Sequence, residues 1–262
     1  MDNLQKLLDI MAQLRDPKDG CAWDVEQTFE TIAPYTVEEA YEVAEAIDNN
    51  DMESLKDELG DLMFQAVFHA RMAEEAGYFN FSDVIDAISD KMIRRHPHVF
   101  GDENYRDAEE QTVAWEEQKA RERAEKKQKS ILDGVTVGLP ALTRAVKLQK
   151  RAARVGFDWP STSGVIDKLN EEMLELSEEL IADKQDQEKI EEEFGDMMFV
   201  YANLARHLKI DPEQALKKAN NKFTRRFNKI EQEIVNKESS FGQYSLNELE
   251  EFWQQAKIEE KK

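Results

Sequence analysis

The chain has 262 residues, with 56 acidic and 35 basic side chains, a formal net charge of −21 and one cysteine, Cys21. This charge excludes a general binder of nucleic-acid polymers or of anionic membranes, because both require a basic face. A single cysteine excludes an intrachain disulfide framework, and no Cys and His residues have zinc-finger spacing. A small phosphorylated ligand stays compatible with the charge, since a divalent cation can join carboxylates to phosphates.

The composition is that of a helical protein. Gly and Pro number only 10 and 6, whereas Glu, Lys, Ala, Leu and Gln are abundant. These frequencies favour long helices over a sheet protein, which needs many turns. The stretch "MDNLQKLLDIMAQL" lacks the basic start and apolar block of a signal peptide, and no apolar run reaches membrane-spanning length. We therefore predict an all-α protein in the cytoplasm.

The chain contains two copies of one sequence plan, in the same order. Each copy starts with an amphipathic helix, predicted at 4–14 and at 142–155, and continues with "GCAWD" or "GFDW". Two acidic helices follow, and the second runs into "GDLMFQAVFHAR" or "GDMMFVYANLAR" with its residues in register. A third helix carries the basic pentad "KMIRR" or "KFTRR", and a Trp-x-x-x-Lys motif closes each copy. Ser82 and Asp211 are predicted as N-caps of the third helices.

The repeat defines two domains and a connector. The stretch "EEQKARERAEKKQKS" has dense charge and no aromatic residue, which is typical of a solvated helix or tether. The following "GVTVGLP" supplies the Gly and Pro that end a helix. We predict a first domain at 1–125, a charged connector at 126–138 and a second domain at 139–262.

Two acidic pairs recur in each copy at one interval. The first copy contains the first acidic cluster: Glu39, Glu42, Glu58 and Asp61. The second copy contains the second acidic cluster: Glu172, Glu175, Glu193 and Asp196. Helical residues three apart share a face, and a short loop makes the two acidic helices antiparallel neighbours, so each cluster can converge on one site.

The second acidic helix of the first copy carries an apolar stripe that is predicted to be buried: Leu55, Leu59, Leu62, Ala66, Ala70 and Ala73. Four carboxylates beside this stripe repel one another and lose hydration unless a cation joins them. A ligand set of oxygen atoms alone favours Mg²⁺ first and Mn²⁺ second, and disfavours Zn²⁺ and Cu²⁺. Mg²⁺ often completes its shell with substrate phosphates, which indicates phosphoryl chemistry. The alternative is a solvated charged face, which the duplication of the pattern disfavours.

Basic and aromatic residues near the second cluster suggest how a nucleotide is held. Lys222 and Arg226 lie four apart on one helix face, suited to phosphate oxygens or, alternatively, to the helix dipole. Trp253 either stacks on a nucleobase or packs as an anchor. Lys168 precedes Glu172 by one turn, whereas Tyr35 holds this position in the first copy. This difference favours the second half as the site of turnover.

The motif Glu-Glu-x-x-Glu followed by Glu-x-x-Asp, in an all-helical chain with a tandem copy, resembles the MazG family of nucleoside triphosphate pyrophosphohydrolases. "WDVEQT", "APYTVEEAYEV", "ELGDLMFQ", "RRHPHVFG" and "KLQKRAARVGFDW" are similar to segments of that family. The resemblance covers almost the whole chain, and only the charged connector lacks it.

The resemblance implies Mg²⁺-dependent hydrolysis of NTPs and dNTPs to monophosphate and pyrophosphate, in helical bundles completed by a homodimer. It makes both acidic clusters metal sites, and it makes the second cluster catalytic. Lys168, Lys222, Arg226 and Trp253 become candidate nucleotide-binding residues. Glu171, outside the ligand set, is a candidate base that activates water, and Glu38 is the corresponding candidate in the first half. The alternative for both residues is a solvated position on a helix.

Three other functions fit the sequence less well. One is a nucleotide-binding or regulatory scaffold without turnover. Another is a narrow enzyme for dUTP or phosphoribosyl-ATP, because no residue selects the base or the sugar. A ferritin-like di-iron protein needs Glu-x-x-His twice, and the sequence contains no such motif.

Overall fold

The structure is a computed structural model that describes residues 3–101, 107, 110–111, 114, 130–237 and 239–260. These residues form helices and turns and contain no β-strand, which confirms the predicted all-α class. The chain separates into two compact units, Met1–Glu122 and Arg123–Lys262. None of the helices found in the described ranges is long and apolar enough to cross a membrane. The Trp-x-x-x-Lys motif of the first copy, at 115–119, lies outside the described residues.

The first unit is a small helical bundle. Its helices are α1 (Asn3–Leu14), α2 (Ala22–Glu26), α3 (Phe29–Asp48), α4 (Met52–Glu75), α5 (Phe81–Arg95) and α6 (Pro97–Phe100). Helices α3 and α4 pack along each other, and α1 and α5 both pack on α4. The buried core consists of Met11, Ile32, Val67, Phe68 and Met72. Because α4 contacts three other helices, it fixes the position of the acidic residues that it carries.

Polar caps set the ends of these helices. Thr28 starts α3 with a reciprocal capping box to Thr31, and the side chain of Asp51 accepts hydrogen bonds from two backbone amides at the start of α4. Asn80, not Ser82, caps α5, because the Asn80 side chain accepts from the backbone amide of Asp83 at 3.2 Å. The prediction for Ser82 was therefore wrong, and Ser82 lies within the first turn of α5.

The second unit repeats the bundle. Its helices are α7 (Ala141–Ala153), α8 (Thr162–Ile181), α9 (Gln187–His207), α10 (Pro212–Asn236) and α11 (Leu246–Glu259). Helices α8 and α9 form the acidic pair, α7 packs on α9, and α10 contacts α7 and α11. Asp211 caps α10 by accepting from the backbone amide of Gln214 at 3.1 Å, with Pro212 in the first turn, which confirms the predicted cap.

The acidic helices leave large apolar side chains exposed in the single chain. Leu59, predicted to be buried in the apolar stripe of α4, is 48% exposed, and Met63 is 51% exposed. In the second unit, Phe194 on α9 and Leu174 on α8 are 52% and 64% exposed. The prediction of a buried Leu59 was therefore wrong for one chain, because the helices packed on α4 cover only part of its apolar surface.

Candidate active site

The first acidic cluster forms where α3 faces α4. Carboxylate oxygens of Glu39, Glu58 and Asp61 all lie within 4.8 Å of one another. Burial raises the pKa of Glu39, and the negative charges of Asp61, Glu42 and Glu58 raise it further. Burial also raises the pKa of Glu58, together with the charges of Glu42 and Asp61. All four carboxylates therefore share one electrostatic environment, which a cation would stabilise.

The second acidic cluster has the same design between α8 and α9. Oxygens of Glu172, Glu175 and Glu193 lie within 4.8 Å of one another. Burial raises the pKa of Glu193, and the charges of Glu175, Glu172 and Asp196 add to the effect. The fourth predicted ligand, Asp196, therefore also acts on this site, and Glu172 is only 4% exposed. A buried carboxylate among three others is the setting that a divalent cation satisfies.

One ammonium group distinguishes the second cluster. Lys168 Nζ lies 2.7 Å from Oε1 of Glu171 and 2.7 Å from Oε1 of Glu172. The hydrogen bonds that Lys168 donates to Glu171 and then to Glu172 raise the pKa of Lys168 above its ordinary value, so the side chain is charged. In the first unit the corresponding Tyr35 is 42% exposed and contacts Trp23 edge to face at 6.0 Å. The ammonium is thus a property of the second cluster.

The two candidate bases lie beside the clusters on exposed helix faces. The Glu171 side chain is 57% exposed and contacts Lys168, and Glu38 is exposed as well. An exposed carboxylate next to a metal site can reach a water molecule, so the geometry is compatible with the predicted role of Glu171.

Two of the predicted nucleotide-binding residues, Arg226 on α10 and Trp253 on α11, contact each other. Arg226 Nε donates to Glu260 Oε2 at 2.7 Å, and its guanidinium lies 5.6 Å from the ring centroid of Trp253. Trp253 also packs against Phe223, with ring centroids 5.3 Å apart, whereas Lys222 is exposed. Within one chain, Trp253 is an anchor between α10 and α11. A nucleotide-binding role of Lys222, Arg226 and Trp253 stays a prediction.

The second unit also contains a cavity of about 250 Å³ between α7, α9 and the loop at 157–159. Gln149 on α7 donates from Nε2 to the backbone oxygen of Phe199 at 2.8 Å, while its buried Oε1 has no hydrogen-bond partner. Asn203 on α9, 3% exposed, accepts at Oδ1 from Arg206 Nε at 2.8 Å. Two buried carboxamides therefore line a largely apolar cavity.

Sequence reasoning missed these two residues, although the repeat contained the signal. Counted from the shared aspartate, Asn203 occupies the position that Phe68 has in the first unit. Phe68 is 1% exposed and belongs to the apolar core there. When a position is apolar in one copy of a repeat and polar in the other, the interiors of the two copies differ.

Asp158, in the loop at 157–159, joins this loop to α9. Asp158 accepts hydrogen bonds from Arg206 and from His207 Nε2, the latter at 3.1 Å. Burial acts to raise the pKa of Asp158, but the bonds from Arg206 and His207 outweigh it and lower this pKa. A side chain at Gly164 would place its Cβ 2.6 Å from Cδ1 of Trp159, so glycine lets the indole lie against the start of α8.

Comparison with known proteins supports the family that the motifs predict. A family model described as "MazG nucleotide pyrophosphohydrolase domain" matches residues 27–100 and 161–230, one match in each copy. The chain is 51% identical over 260 residues to the "Nucleoside triphosphate pyrophosphohydrolase" of Escherichia coli (strain K12), covering 99% of both chains. It is 43% identical over 256 residues to the "Nucleoside triphosphate pyrophosphohydrolase/pyrophosphatase MazG" of Thermotoga maritima, covering 97% of this chain and 95% of the relative.

A solved structure of a "mazG-related protein from Thermotoga maritima" covers 44% of this chain and 98% of its own, with 31% identity and a TM-score of 0.38. The assignment rests on the sequence matches and not on this structural similarity. Two tandem domain matches over more than half of the residues, together with full-length relatives at 51% and 43% identity, show that this chain belongs to the MazG family of nucleotide pyrophosphohydrolases.

Proposed function

We propose that this protein hydrolyses a broad range of NTPs and dNTPs to the monophosphate and pyrophosphate, with Mg²⁺, at a site in its second unit. The observation that carries the proposal is the second acidic cluster, where three carboxylate oxygens lie within 4.8 Å beside an ammonium group. The printed names of the full-length relatives support the same reaction. The exposed apolar faces of the acidic helices support a homodimer in which a second copy covers them.

The residues of the second acidic cluster suit Mg²⁺, with Mn²⁺ as the alternative. Every ligand is a carboxylate oxygen, and hard divalent cations prefer such ligands. Glu172, Glu175, Glu193 and Asp196 would hold the ion. Bound there, Mg²⁺ would join the carboxylates to the triphosphate and offset the charge that develops on the phosphate oxygens.

The chain supplies the remaining groups. Lys168, whose Nζ lies 2.7 Å from Glu172 Oε1, would exchange this partner for a phosphate oxygen and neutralise the charge of that oxygen. Glu171, on the other side of Lys168, would accept the proton of the attacking water. The water oxygen bonds to phosphorus as the bridging P–O bond to the leaving group breaks. Attack at the α- or the β-phosphorus releases the same two products, a nucleoside monophosphate and pyrophosphate.

The first unit has a different role in this proposal. Its carboxylates converge in the same way, but Tyr35 replaces the ammonium group. In this proposal the first unit turns over more slowly, is inactive, or serves chiefly in dimerisation and regulation. Lys222, Arg226 and Trp253 are proposed to contact the nucleotide, so that Lys222→Met should raise KM more than it changes kcat.

Product analysis tests the proposed function. Purified protein with Mg²⁺ is given a panel of NTPs and dNTPs that includes dUTP and phosphoribosyl-ATP, and monophosphate and pyrophosphate are quantified. Glu175→Gln should reduce turnover about 100-fold or more, because it removes a ligand of the metal, whereas the matched Glu42→Gln should change it less than about twofold. Folded protein that releases no pyrophosphate from any NTP would contradict the proposal. Equal losses in both variants would contradict the assignment to the second unit.

A further inference from the structure

We infer that Glu260, at the end of α11, is a positioning residue: it fixes the guanidinium of Arg226 and leaves the two terminal nitrogens to bind a phosphate group of the nucleotide. This inference rests on the proposed function, in which Arg226 contacts the nucleotide. Glu260 acts through Arg226 and does not itself touch the substrate. Neither the acidic motifs nor the basic pentads include it.

The carboxylate of Glu260 bridges two neighbouring arginines of α10. Its Oε1 accepts a hydrogen bond from Arg225 Nε at 2.6 Å, and its Oε2 accepts one from Arg226 Nε at 2.7 Å. The bonds from Arg225 and then Arg226 lower the pKa of Glu260 to about 2, so this carboxylate is charged at neutral pH. The side chain of Arg226 is 17% exposed, whereas that of Arg225 is 59% exposed. Arg226 is therefore the more closely packed of the two arginines.

The bond to Glu260 leaves the outer edge of the Arg226 guanidinium available. A guanidinium has five N–H donors in one plane, one on Nε and two on each terminal nitrogen. Within the part of the chain that the structure describes, no hydrogen bond involves Nη1 or Nη2 of Arg226. These two nitrogens can therefore donate side by side to two oxygens of a phosphate group, which is the bidentate arrangement that arginine favours.

The charge balance keeps Arg226 attractive to an anion. Two guanidinium groups share one carboxylate, so the three side chains together keep one net positive charge. Lys222 lies about one turn before Arg226 on α10 and is exposed, which adds another cation. A carboxylate paired with Arg226 alone would cancel its charge, whereas the shared carboxylate of Glu260 orients the guanidinium and leaves a surplus of positive charge.

Packing between α10 and α11 does not depend on Glu260. Phe223 of α10 packs against Trp253 of α11 with ring centroids 5.3 Å apart. A separate ion pair joins Lys229 Nζ to Glu259 Oε2 at 3.4 Å. Because these contacts hold the two helices together without Glu260, a variant that removes only the charge of Glu260 should keep the fold.

Fixing Arg226 before the substrate arrives should strengthen binding. An arginine side chain has several rotatable bonds, and its restriction costs conformational entropy. Glu260 shifts this cost from nucleotide binding to folding, which raises the affinity of the site. Arg226 would contact the phosphate in the bound substrate as well as in the transition state, so its position should affect KM more than kcat. All NTPs carry the same phosphates, so the effect should not depend on the base.

Steady-state kinetics of Glu260→Gln with ATP, GTP, CTP and UTP test the inference. The amide keeps the shape of the side chain, but it is neutral and has only one acceptor oxygen. We expect KM to rise about tenfold, by the same factor for every NTP, with kcat changed less than about twofold. A KM increase that depends on the base would place the effect at the stacking surface of Trp253 and overturn the role through Arg226.

Glu259→Gln is the matched control. It removes one negative charge at the adjacent position and breaks the pair with Lys229 between the same two helices. KM should stay within about twofold of the wild-type value, and thermal melting of both variants checks that folded proteins are compared. Equal KM increases in Glu259→Gln and Glu260→Gln would show a general effect of charge or packing and would overturn the inference.

A double-mutant cycle separates positioning from packing. Arg226→Met removes the group that Glu260 positions, so adding Glu260→Gln should change kcat/KM less than about twofold further. An additional tenfold loss in the double variant would show a structural role of Glu260 and overturn the inference. A rise of kcat/KM in Glu260→Gln alone would overturn it as well, because the carboxylate would then compete with phosphate for Arg226.

Binding of the non-hydrolysable α,β-methylene-ATP with Mg²⁺, measured by calorimetry on the full chain, separates the inference from the proposed function. Wild-type turnover with the same Kd and KM in Glu260→Gln would overturn the inference and leave the proposed function intact. Absence of turnover, with a Kd that rises about tenfold in Glu260→Gln, would overturn the proposed function and support the inference. Absence of both turnover and binding would overturn both.

Discussion

The two units share their acidic framework and differ in their interiors. Both bring carboxylates from two neighbouring helices within 4.8 Å. The first unit packs Met11 and Phe68 in its apolar core, beside a pocket of about 290 Å³, whereas in the second unit the carboxamides of Gln149 and Asn203 line a cavity of about 250 Å³. Because a metal framework needs only a helix pair, a duplicated bundle can retain it twice. The interior behind that pair depends on packing, and the two units line their pockets with different side chains.

Each unit has an ion pair that joins its second acidic helix to another part of the bundle. This helix supplies the anion in the first unit and the cation in the second. In the first unit the guanidinium comes from the residue after α1, where Arg15 Nη2 contacts Glu75 of α4 at 2.7 Å. In the second unit the guanidinium is on the second acidic helix, where Arg206 contacts Asp158 of the loop. The first arrangement seals the bundle, and the second holds a loop that lines the cavity. The ion pair therefore joins two helices in the first unit and holds a loop beside the cavity in the second.

Arg15→Met should have the largest effect, which is a loss of stability of the first unit. Arg15 is 9% exposed, and its loss would leave Glu75 partly buried beside fewer cations, which should destabilise the first unit by about 3 kcal/mol. Hydrogen–deuterium exchange of α1 and α4, with turnover assayed in parallel, is the measurement. Activity should persist under conditions where the first unit stays folded. Arg206→Met serves as the counterpart and should reduce both protection of α9 and turnover. Equal loss of activity in the two variants would contradict the division of roles.

An exchange at the positions of Lys168 and Tyr35 should have the next largest effect. Lys168→Met would remove the proposed charged contact to phosphate and should lower kcat/KM about tenfold or more, whereas Tyr35→Phe should leave it within about twofold. The sharper experiment adds Tyr35→Lys to Glu175→Gln. We expect no recovery of turnover, because the ammonium is not the only difference between the two units: the side chains behind their acidic helices differ as well. Recovery to wild-type rates would show that the ammonium alone distinguishes the two units.

The pH dependence of stability should give the smallest difference. The pKa of Glu58 lies above its ordinary 4.5, so the folded state binds this proton more tightly than the unfolded state. Its stabilising contribution is therefore present below pH 4.5 and is lost as pH rises through the folded pKa. Without metal, Glu58→Gln should raise the melting temperature at pH 7, and this gain should shrink toward pH 5.

Saturating Mg²⁺ should remove the gain, because the cation neutralises the carboxylates. Glu193→Gln is the matched variant and should gain less, since Lys168 already offsets charge in the second cluster. Scanning calorimetry with and without Mg²⁺ measures both. A Glu58→Gln variant that is less stable than wild type at pH 7 without metal would contradict this interpretation.

The sequence by itself determined the helical class, the tandem plan and the family. These depend on local patterns: helical periodicity, capping residues such as Asp211, and carboxylates spaced by one turn. The position of Lys168 one turn before Glu172 is also local, and the structure joins the two side chains at 2.7 Å. Sequence spacing is informative here because residues three or four apart on a helix are neighbours whatever the rest of the chain does.

Tertiary structure decided the contacts between distant residues. Arg15 and Glu75 are 60 positions apart, and Gln149 meets the Phe199 carbonyl across 50 positions. Arg226, predicted to contact phosphate or to interact with the helix dipole, pairs with Glu260 across 34 positions. The cavity and its unpartnered oxygen follow from which volumes the packed helices leave empty. Packing of this kind depends on all surrounding side chains together, so no local spacing could have predicted it.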